Sequence, residues 1–336
     1  MRRQPNYKNL LDVINNKRPE RPTLFEFFLN SRLYEGLTGQ KMAHDGSPGD
    51  TAIVVKAFAE AGYDHVTLHA SRFGFPTNKK TSQKSHSLND SSTIYDWESY
   101  ERYEWQDPSA CGYDLLDAAE AALPEGMGII VYSPGGVLEN AINLAGFDNL
   151  CYMIFDEPKL AERIFSEVGE RLCEYYRRSV PHKAVFAAIV NDDWGFNTQT
   201  MLTTEQMRRY VIPWHKRIVE VIHKTGKPAV LHSCGNLANV MEDIIEVIGF
   251  QAKHSFEDVI MPIERHYELY KDRIAHLGGI DVDFVCRAPL DEVKDRSRAM
   301  LKAGMAGGGY ALGTGNSVPH YVPDEGYFAM TSVAFE

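Results

Sequence analysis

The stretch Val230-Leu-His-Ser-Cys-Gly-Asn236 sets an imidazole and a thiol two residues apart, at His232 and Cys234. An apolar run, residues 228–231, leads into the pair, and Gly235 turns the chain into an amphipathic segment reaching about Ile248. Side chains two apart on a strand share a face, so in a strand-to-helix unit both groups stand at the strand's carboxyl end and face one cleft. Imidazole nitrogen and thiolate sulfur are customary zinc donors, which makes His232 and Cys234 candidate metal ligands. The plain alternative is a core or helix-capping role.

Other reactive side chains also sit at the ends of apolar runs. In Asn191-Asp-Asp-Trp-Gly195 two adjacent acids close such a run. Neighbouring side chains alternate in direction, so one carboxylate faces the cleft while the other caps a helix or binds amides. Asp193 is the candidate for the cleft, as a general acid or base or as the partner that orients a metal-bound imidazole. Glu26 lies in Leu24-Phe-Glu-Phe-Phe28, where burial raises a carboxyl pKa unless a cation is near. It is a second acid–base candidate, with an ion pair to Arg32 as the structural alternative. His254, in His254-Ser-Phe-Glu-Asp258, could complete a metal set or serve only as a structural histidine, and Glu257 could reach substrate. Asn30, His69, Arg72, Tyr310 and Asn316 are further candidate substrate contacts. The glycines of Gly307-Gly-Gly-Tyr-Ala-Leu-Gly-Thr-Gly-Asn-Ser317 allow close backbone approach to a ligand, or simply tight turns.

Eight short apolar runs are expected as strands, at residues 23–28, 65–70, 126–132, 184–190, 228–231, 250–254, 274–278 and 309–312. Amphipathic segments alternate with them, expected as helices at 6–16, 50–60, 113–123, 137–152, 157–178, 204–224, 261–271, 290–303 and 324–331. This alternation predicts an α/β fold, a (β/α)8 TIM barrel over residues 1–336 as a single domain, with an irregular insertion at 71–108 after the second strand. A doubly wound open sheet is the rival. The barrel is preferred because Glu26, His69, Asp192, Asp193, His232, Cys234, His254, Asp281 and Asn316 fall within or just beyond seven different strands, and a barrel brings these to one mouth.

The chain has 336 residues, 44% hydrophobic and 24% charged, with a formal net charge of −11. That charge argues against a nucleic-acid partner. No apolar run approaches the roughly 20 residues of a membrane span, and the opening residues lead into no signal-peptide core, so a cytoplasmic protein is expected. Five scattered cysteines fit reduced thiols rather than a disulfide framework. A small-molecule substrate is expected, with a homodimer as a candidate assembly.

With these residues assembled, the chain resembles the uroporphyrinogen decarboxylase superfamily, and within it the methyltransferase-like branch. The resemblance rests on Asp192-Asp-Trp-Gly195, Leu231-His-Ser-Cys-Gly-Asn236, Gly278-Gly-Ile-Asp281 and Gly307-Gly-Gly-Tyr310 leading to Asn316 and Pro323. It implies a (β/α)8 barrel with its cleft at the strand carboxyl ends. The corrinoid-dependent members move a methyl group between a cobalamin protein and a thiol or methoxylated compound, and bind zinc through a His-x-Cys pair and a later Cys. His232 and Cys234 match that pair. The later Cys is replaced by the turn Gly313-Thr-Gly315, which leaves His254 or Glu26 as the expected third ligand, the alternative being a site without zinc. Decarboxylases instead share an Arg-rich stretch after the first strand and an Asp after the second; here those positions read Phe28-Leu-Asn-Ser-Arg32 and Leu68-His-Ala-Ser71. The activity the resemblance implies is zinc-dependent methyl transfer with a corrinoid (methylcobalamin) supplied by a partner protein, acting on a small substrate, for instance a methoxylated aromatic, or on a thiol. The alternatives are a porphyrin-type decarboxylase and a non-catalytic binding protein that keeps the barrel.

Overall fold

The computed structural model describes residues 3–77, 88–89 and 93–336. Seven parallel strands form one curled sheet in chain order: β1 (His65–His69), β2 (Gly128–Tyr132), β3 (Val185–Asn191), β4 (Ala229–His232), β5 (Ala252–His254), β6 (Ala275–Leu277) and β7 (Tyr310–Ala311). Every strand is consecutive with its neighbour, and the connections between successive strands carry helices, as parallel pairing requires.

The eighth strand expected at residues 23–28 is reduced to a single parallel bridge, Leu24 to Leu312. Two backbone bonds hold it to β7, Phe25 N–H to Leu312 O at 2.8 Å and Leu312 N–H to Thr23 O at 2.8 Å. On its other side, β1 reaches it through side chains: the Thr67 hydroxyl donates to Phe27 O, and His65 Nε2 lies 3.3 Å from Glu26 O. The segment is thus bonded through backbone toward β7 and through side chains toward β1, which explains why it does not register as a ladder strand.

Alternation along the strands sorts the apolar residues into two cores. Phe25, Phe27, Ile130, Ala187, Ile189, Val230, Ala252, Ala275, Leu277 and Ala311 pack together on one face, with Leu10, Val13 and Ile14 of the first helix (Tyr7–Ile14) added to them. Leu24, Val66, Leu68, Ile129, Val131, Ala188, Val190, Ala229, Leu231 and Tyr310 belong to the larger core that includes the helices. We call the first face inward. Continuing the period of two, Val230 inward places His232 inward, and Ala252 inward places His254 inward.

Helix positions follow the sequence with instructive exceptions. The expected helix at 137–152 is two, Val137–Ala145 and Phe147–Asp156, because Gly146 leaves the helical region at φ 81° and ψ 144°. Helices at Ser31–Thr38 and Val282–Arg287 were not expected, and a short helix, Trp97–Arg102, interrupts the stretch expected to be irregular at 71–108. Residues 78–87 and 90–92 of that stretch lie outside the described residues. No helix among the described residues is long and apolar enough to cross a membrane.

Candidate metal centre

At the carboxyl ends of β1 to β4 a cleft of about 390 Å³ is lined by Phe27, Phe28, His69, Tyr132, Ser133, Pro134, Gly135, Glu139, Asn191, Asp193, His232, Cys234 and Asn316. Ligand atoms of Asp193, His232 and Cys234 all lie within 4.8 Å of one another. One carboxylate oxygen, one imidazole nitrogen and one sulfur form a donor set suited to zinc, and three protein ligands leave a fourth position for water or substrate. The residues therefore fit a zinc ion, with Asp193 in the place expected of His254 or Glu26.

Local backbone explains how Asp193 reaches Cys234. Gly235 has φ +89°, and a Cβ there would fall 2.1 Å from the carbonyl carbon of Gly195. Only glycine lets the turn after β4 press against the loop after β3 in this way. The approach is locked by the Cys234 N–H donating to Asp193 Oδ1 at 2.9 Å and the Asn236 N–H to Phe196 O at 2.8 Å.

The adjacent acid, Asp192, turns the other way. It is fully buried, its Oδ1 accepts from the Glu139 amide at 2.8 Å, and its Oδ2 accepts from the Leu138 amide and the Trp194 indole, both at 2.9 Å. His215 Nε2 lies 2.8 Å from the same Oδ2. Asp192 thus anchors the start of the Val137–Ala145 helix.

Electrostatics in the cleft follow from burial. The Cys234 thiol is pushed well above its usual range by burial and by the charge of Asp193, while Asn316 Nδ2 donates to its sulfur at 3.1 Å and the Ser255 hydroxyl at 3.6 Å. Without a cation beside it, this sulfur keeps its proton. His232 and His69 are each lowered to about 4 by burial, so both rings are neutral at pH 7. His69 packs on Tyr132 at 4.0 Å between centroids, and Phe27 lies 4.4 Å from His232, which gives the cleft an aromatic wall.

Several expected site residues are placed elsewhere. Glu26 is fully buried and alternates with inward Phe25 and Phe27, so its carboxyl group faces the helix layer. Both its oxygens are taken by Thr314, from the amide and from the hydroxyl, each at 2.7 Å. It does not line the cleft, and Arg32 is bound to Asp324 instead, at 2.7 Å. Asn30 caps the Ser31–Thr38 helix through the Leu33 amide and donates to Pro319 O, and it does not line the cleft. Arg72 is half-exposed, donates to Gly46 O at 3.2 Å and stands 3.6 Å from Asp114. Tyr310 points outward against Gly304 and Tyr267, because Ala311 is the inward residue of β7. His254 is not one of the three donors but lies against one of them, its Nδ1 2.7 Å from His232 Nδ1. Asp281 caps the Val282–Arg287 helix. Glu257 accepts from the Gly235 amide at 3.2 Å and lines a neighbouring groove of about 860 Å³ that shares Asn316 with the cleft.

Two groups escaped the sequence reading. Glu139, in the first turn of the helix after Ser133-Pro-Gly-Gly136, is raised to about 8 by burial, with Asp192 and Asp193 adding to the effect. The glycine turn at the end of β2 followed three residues later by an acid was the available signal. Lys253 is buried on the outward face of β5, where burial lowers it to about 8; its ammonium donates to Ser255 O and lies 4.4 Å from the Phe256 ring centroid.

The raised Glu26 pKa, about 8 against a usual 4.5, carries a stability consequence. The folded protein holds a proton there that the unfolded chain releases, so this contribution is intact below about pH 4.5 and is lost as pH rises through about 8. Glu26→Gln preserves both contacts to Thr314, since an amide can accept from N–H and donate to the hydroxyl. The variant is expected to gain stability over the parent as pH rises from 5 to 8.5, read from denaturant midpoints. Parallel pH profiles for the two proteins would contradict this.

Fold and site together define a parallel α/β enzyme scaffold with a potential metal centre at the strand ends. Residues 65–336 match the family described as uroporphyrinogen decarboxylase (URO-D), and the chain belongs to that family. It is similar to uroporphyrinogen decarboxylase of Myxococcus xanthus (strain DK1622), 28% identical over 185 residues covering 54% of this chain; the chain spans about half the length of that curated relative, 49%. Its fold is similar to that of a methyltransferase from Methanosarcina mazei, with TM-score 0.74, 15% identity and 99% of each chain covered.

Proposed function

We propose that this protein is a zinc-dependent methyltransferase of a corrinoid system, moving a methyl group between a small methoxylated aromatic or thiol substrate and a cobalamin carried by a separate protein docked at the strand-end mouth. The observation that carries the reading is the meeting of Asp193, His232 and Cys234 within 4.8 Å in the cleft. A zinc ion held by these three would act as a Lewis acid on the substrate's oxygen or sulfur, making it a better leaving group or a better nucleophile.

The chain's own groups supply the rest. Phe27, Phe28, Tyr132 and His69 give an aromatic wall for an aromatic or small organic body. Asn316 donates to the Cys234 sulfur and would stabilise its thiolate form. Glu139 keeps a proton at neutral pH and lines the cleft, so it is the acid placed to protonate a leaving oxygen. The decarboxylase alternative is favoured by the M. xanthus relative. Against it, no Arg or Lys stands among the described residues lining the 390 Å³ cleft, and Arg287 in the adjoining groove is paired with Asp283 at 2.5 Å. A substrate bearing many carboxylates would meet carboxylates there.

Zinc-loaded protein should catalyse methyl exchange, followed by the visible spectrum of the cobalamin, either from free methylcobalamin to a thiol or from a methoxyarene to cob(I)alamin. The rate should fall when a chelator strips the metal and return when zinc is restored. Release of carbon dioxide from uroporphyrinogen, with no methyl exchange, would replace this reading with the alternative.

A further inference from the structure

His254 neither lines the cleft nor joins the donor set, yet it is buried to 1% exposure and stands nitrogen to nitrogen with a candidate ligand. His254 Nδ1 lies 2.7 Å from His232 Nδ1, and His254 Nε2 lies 3.4 Å from the carbonyl oxygen of Thr314. A carbonyl oxygen can only accept, so the proton of His254 belongs on Nε2. Two imidazoles at 2.7 Å, both buried, cannot both carry a charge, and His254, at 1% exposure between a carbonyl and a second imidazole, is kept neutral by burial. A neutral His254 with its proton on Nε2 therefore presents a lone pair at Nδ1, and His232 must donate to it from its own Nδ1. His232 is then left with an unprotonated Nε2.

We infer that His254 is a positioning residue that fixes His232 in the Nδ1–H tautomer, so that Nε2 of His232 is kept as a ready-made metal donor. The inference deepens the metal reading above and rests on it for its purpose, but the tautomer itself exists without any ion. A metal-ligating histidine is generally held by a hydrogen bond from its other ring nitrogen, with a carboxylate or carbonyl as the usual acceptor. Here a second imidazole takes that place, and its own proton is fixed in turn by the Thr314 carbonyl.

The surroundings are built to hold this chain of contacts. Thr314 is clamped from the far side, its amide and hydroxyl each 2.7 Å from an oxygen of Glu26. Gly278 has φ +73°, and a Cβ there would fall 2.2 Å from the Thr314 carbonyl oxygen and 3.2 Å from His254 Nε2. A side chain at 278 would push apart the contact that sets the tautomer. Glu26 and Gly278, distant in sequence from the donor set, thereby act on it through one carbonyl. Burial first, and then His232 and Lys253, oppose a positive charge on the His254 ring.

Two measurements test the inference. In metal-free protein with nitrogen-15-labelled histidine, His232 should show a protonated Nδ1 and an unprotonated Nε2, and His254 the reverse, the signals being assigned by loss in His232→Asn and His254→Asn. A His232 protonated at Nε2 overturns the inference whatever the metal does. Zinc affinity, measured by competition with a coloured chelator, should fall roughly 10- to 100-fold in His254→Leu. His254→Asn, whose amide oxygen sits where Nδ1 was, should recover most of that loss, while a merely structural role would show equal affinity in both variants once each is confirmed folded by circular dichroism. Equal zinc affinity in parent, Leu and Asn proteins overturns the inference and leaves the metal reading standing; absence of zinc binding in the parent with the expected tautomers overturns the metal reading and leaves the tautomer assignment.

Discussion

Asp192→Asn is expected to destabilise the folded protein by roughly 3–5 kcal/mol, the range for breaking a buried, fully engaged ionic group. Its carboxylate is wholly buried and takes four partners: the amides of Leu138 and Glu139, the Trp194 indole, and His215. An asparagine offers one oxygen and turns two hydrogens toward groups that are themselves donors, so at least one orphaned N–H remains in a dry site. The consequence extends to the cleft. Asp192 ties the helix that carries Glu139 to the loop that carries Asp193, so the variant should lose zinc affinity as well as stability. Urea denaturation compared with the parent checks the first, and a cost under about 1 kcal/mol would mean that these four contacts do not anchor the loop.

Cys234→Ala should lower methyl-transfer turnover at least about 1,000-fold, on the order of 4 kcal/mol of lost transition-state stabilisation. The sulfur is the least exchangeable donor of the three, because burial and Asp193 oppose its ionisation so strongly that only a cation in the site would make a thiolate there. Removing it leaves a carboxylate and one imidazole, too few to hold zinc firmly. Stability should change little, since Cys234 is only partly buried and its polar contacts are to two side chains, Asn316 and Ser255, that can find other partners. Fold and function are therefore expected to separate: a Cys234→Ala protein that keeps its denaturation midpoint while losing turnover. Full turnover in that variant would remove the sulfur from the chemistry.

Much of this cleft could be read from periodicity. Asn191, Asp192 and Asp193 alternate in direction as neighbours on an extended chain do, and the outward member became the structural anchor. His232 and His254 share the inward face because each lies two residues beyond an inward residue, Val230 and Ala252. The same rule, applied to residues 24–28, sends Glu26 outward between inward Phe25 and Phe27, and applied to β7 sends Tyr310 outward beside Ala311. Asn30 was legible as a helix cap only if the helix at Ser31–Thr38 had been seen, and its sequence, with two glycines nearby and no long apolar stripe, hides it. The third candidate donor was beyond reach of spacing. Asp193 joins His232 and Cys234 because two glycines, 195 and 235, let separate loops touch, and such an approach between distant loops leaves no periodic trace. The seven-stranded outcome has a similar cause, since the segment at 23–28 has strand composition but meets β1 through side chains rather than backbone.

The most direct test is the metal content of protein purified without added zinc, set beside His232→Ala, Cys234→Ala and Asp193→Ala. One zinc per chain in the parent, and its loss in all three variants with their folds intact, is the predicted result. A parent that neither carries nor takes up zinc, or variants that retain it in full, would contradict the assignment of this cleft as a metal centre.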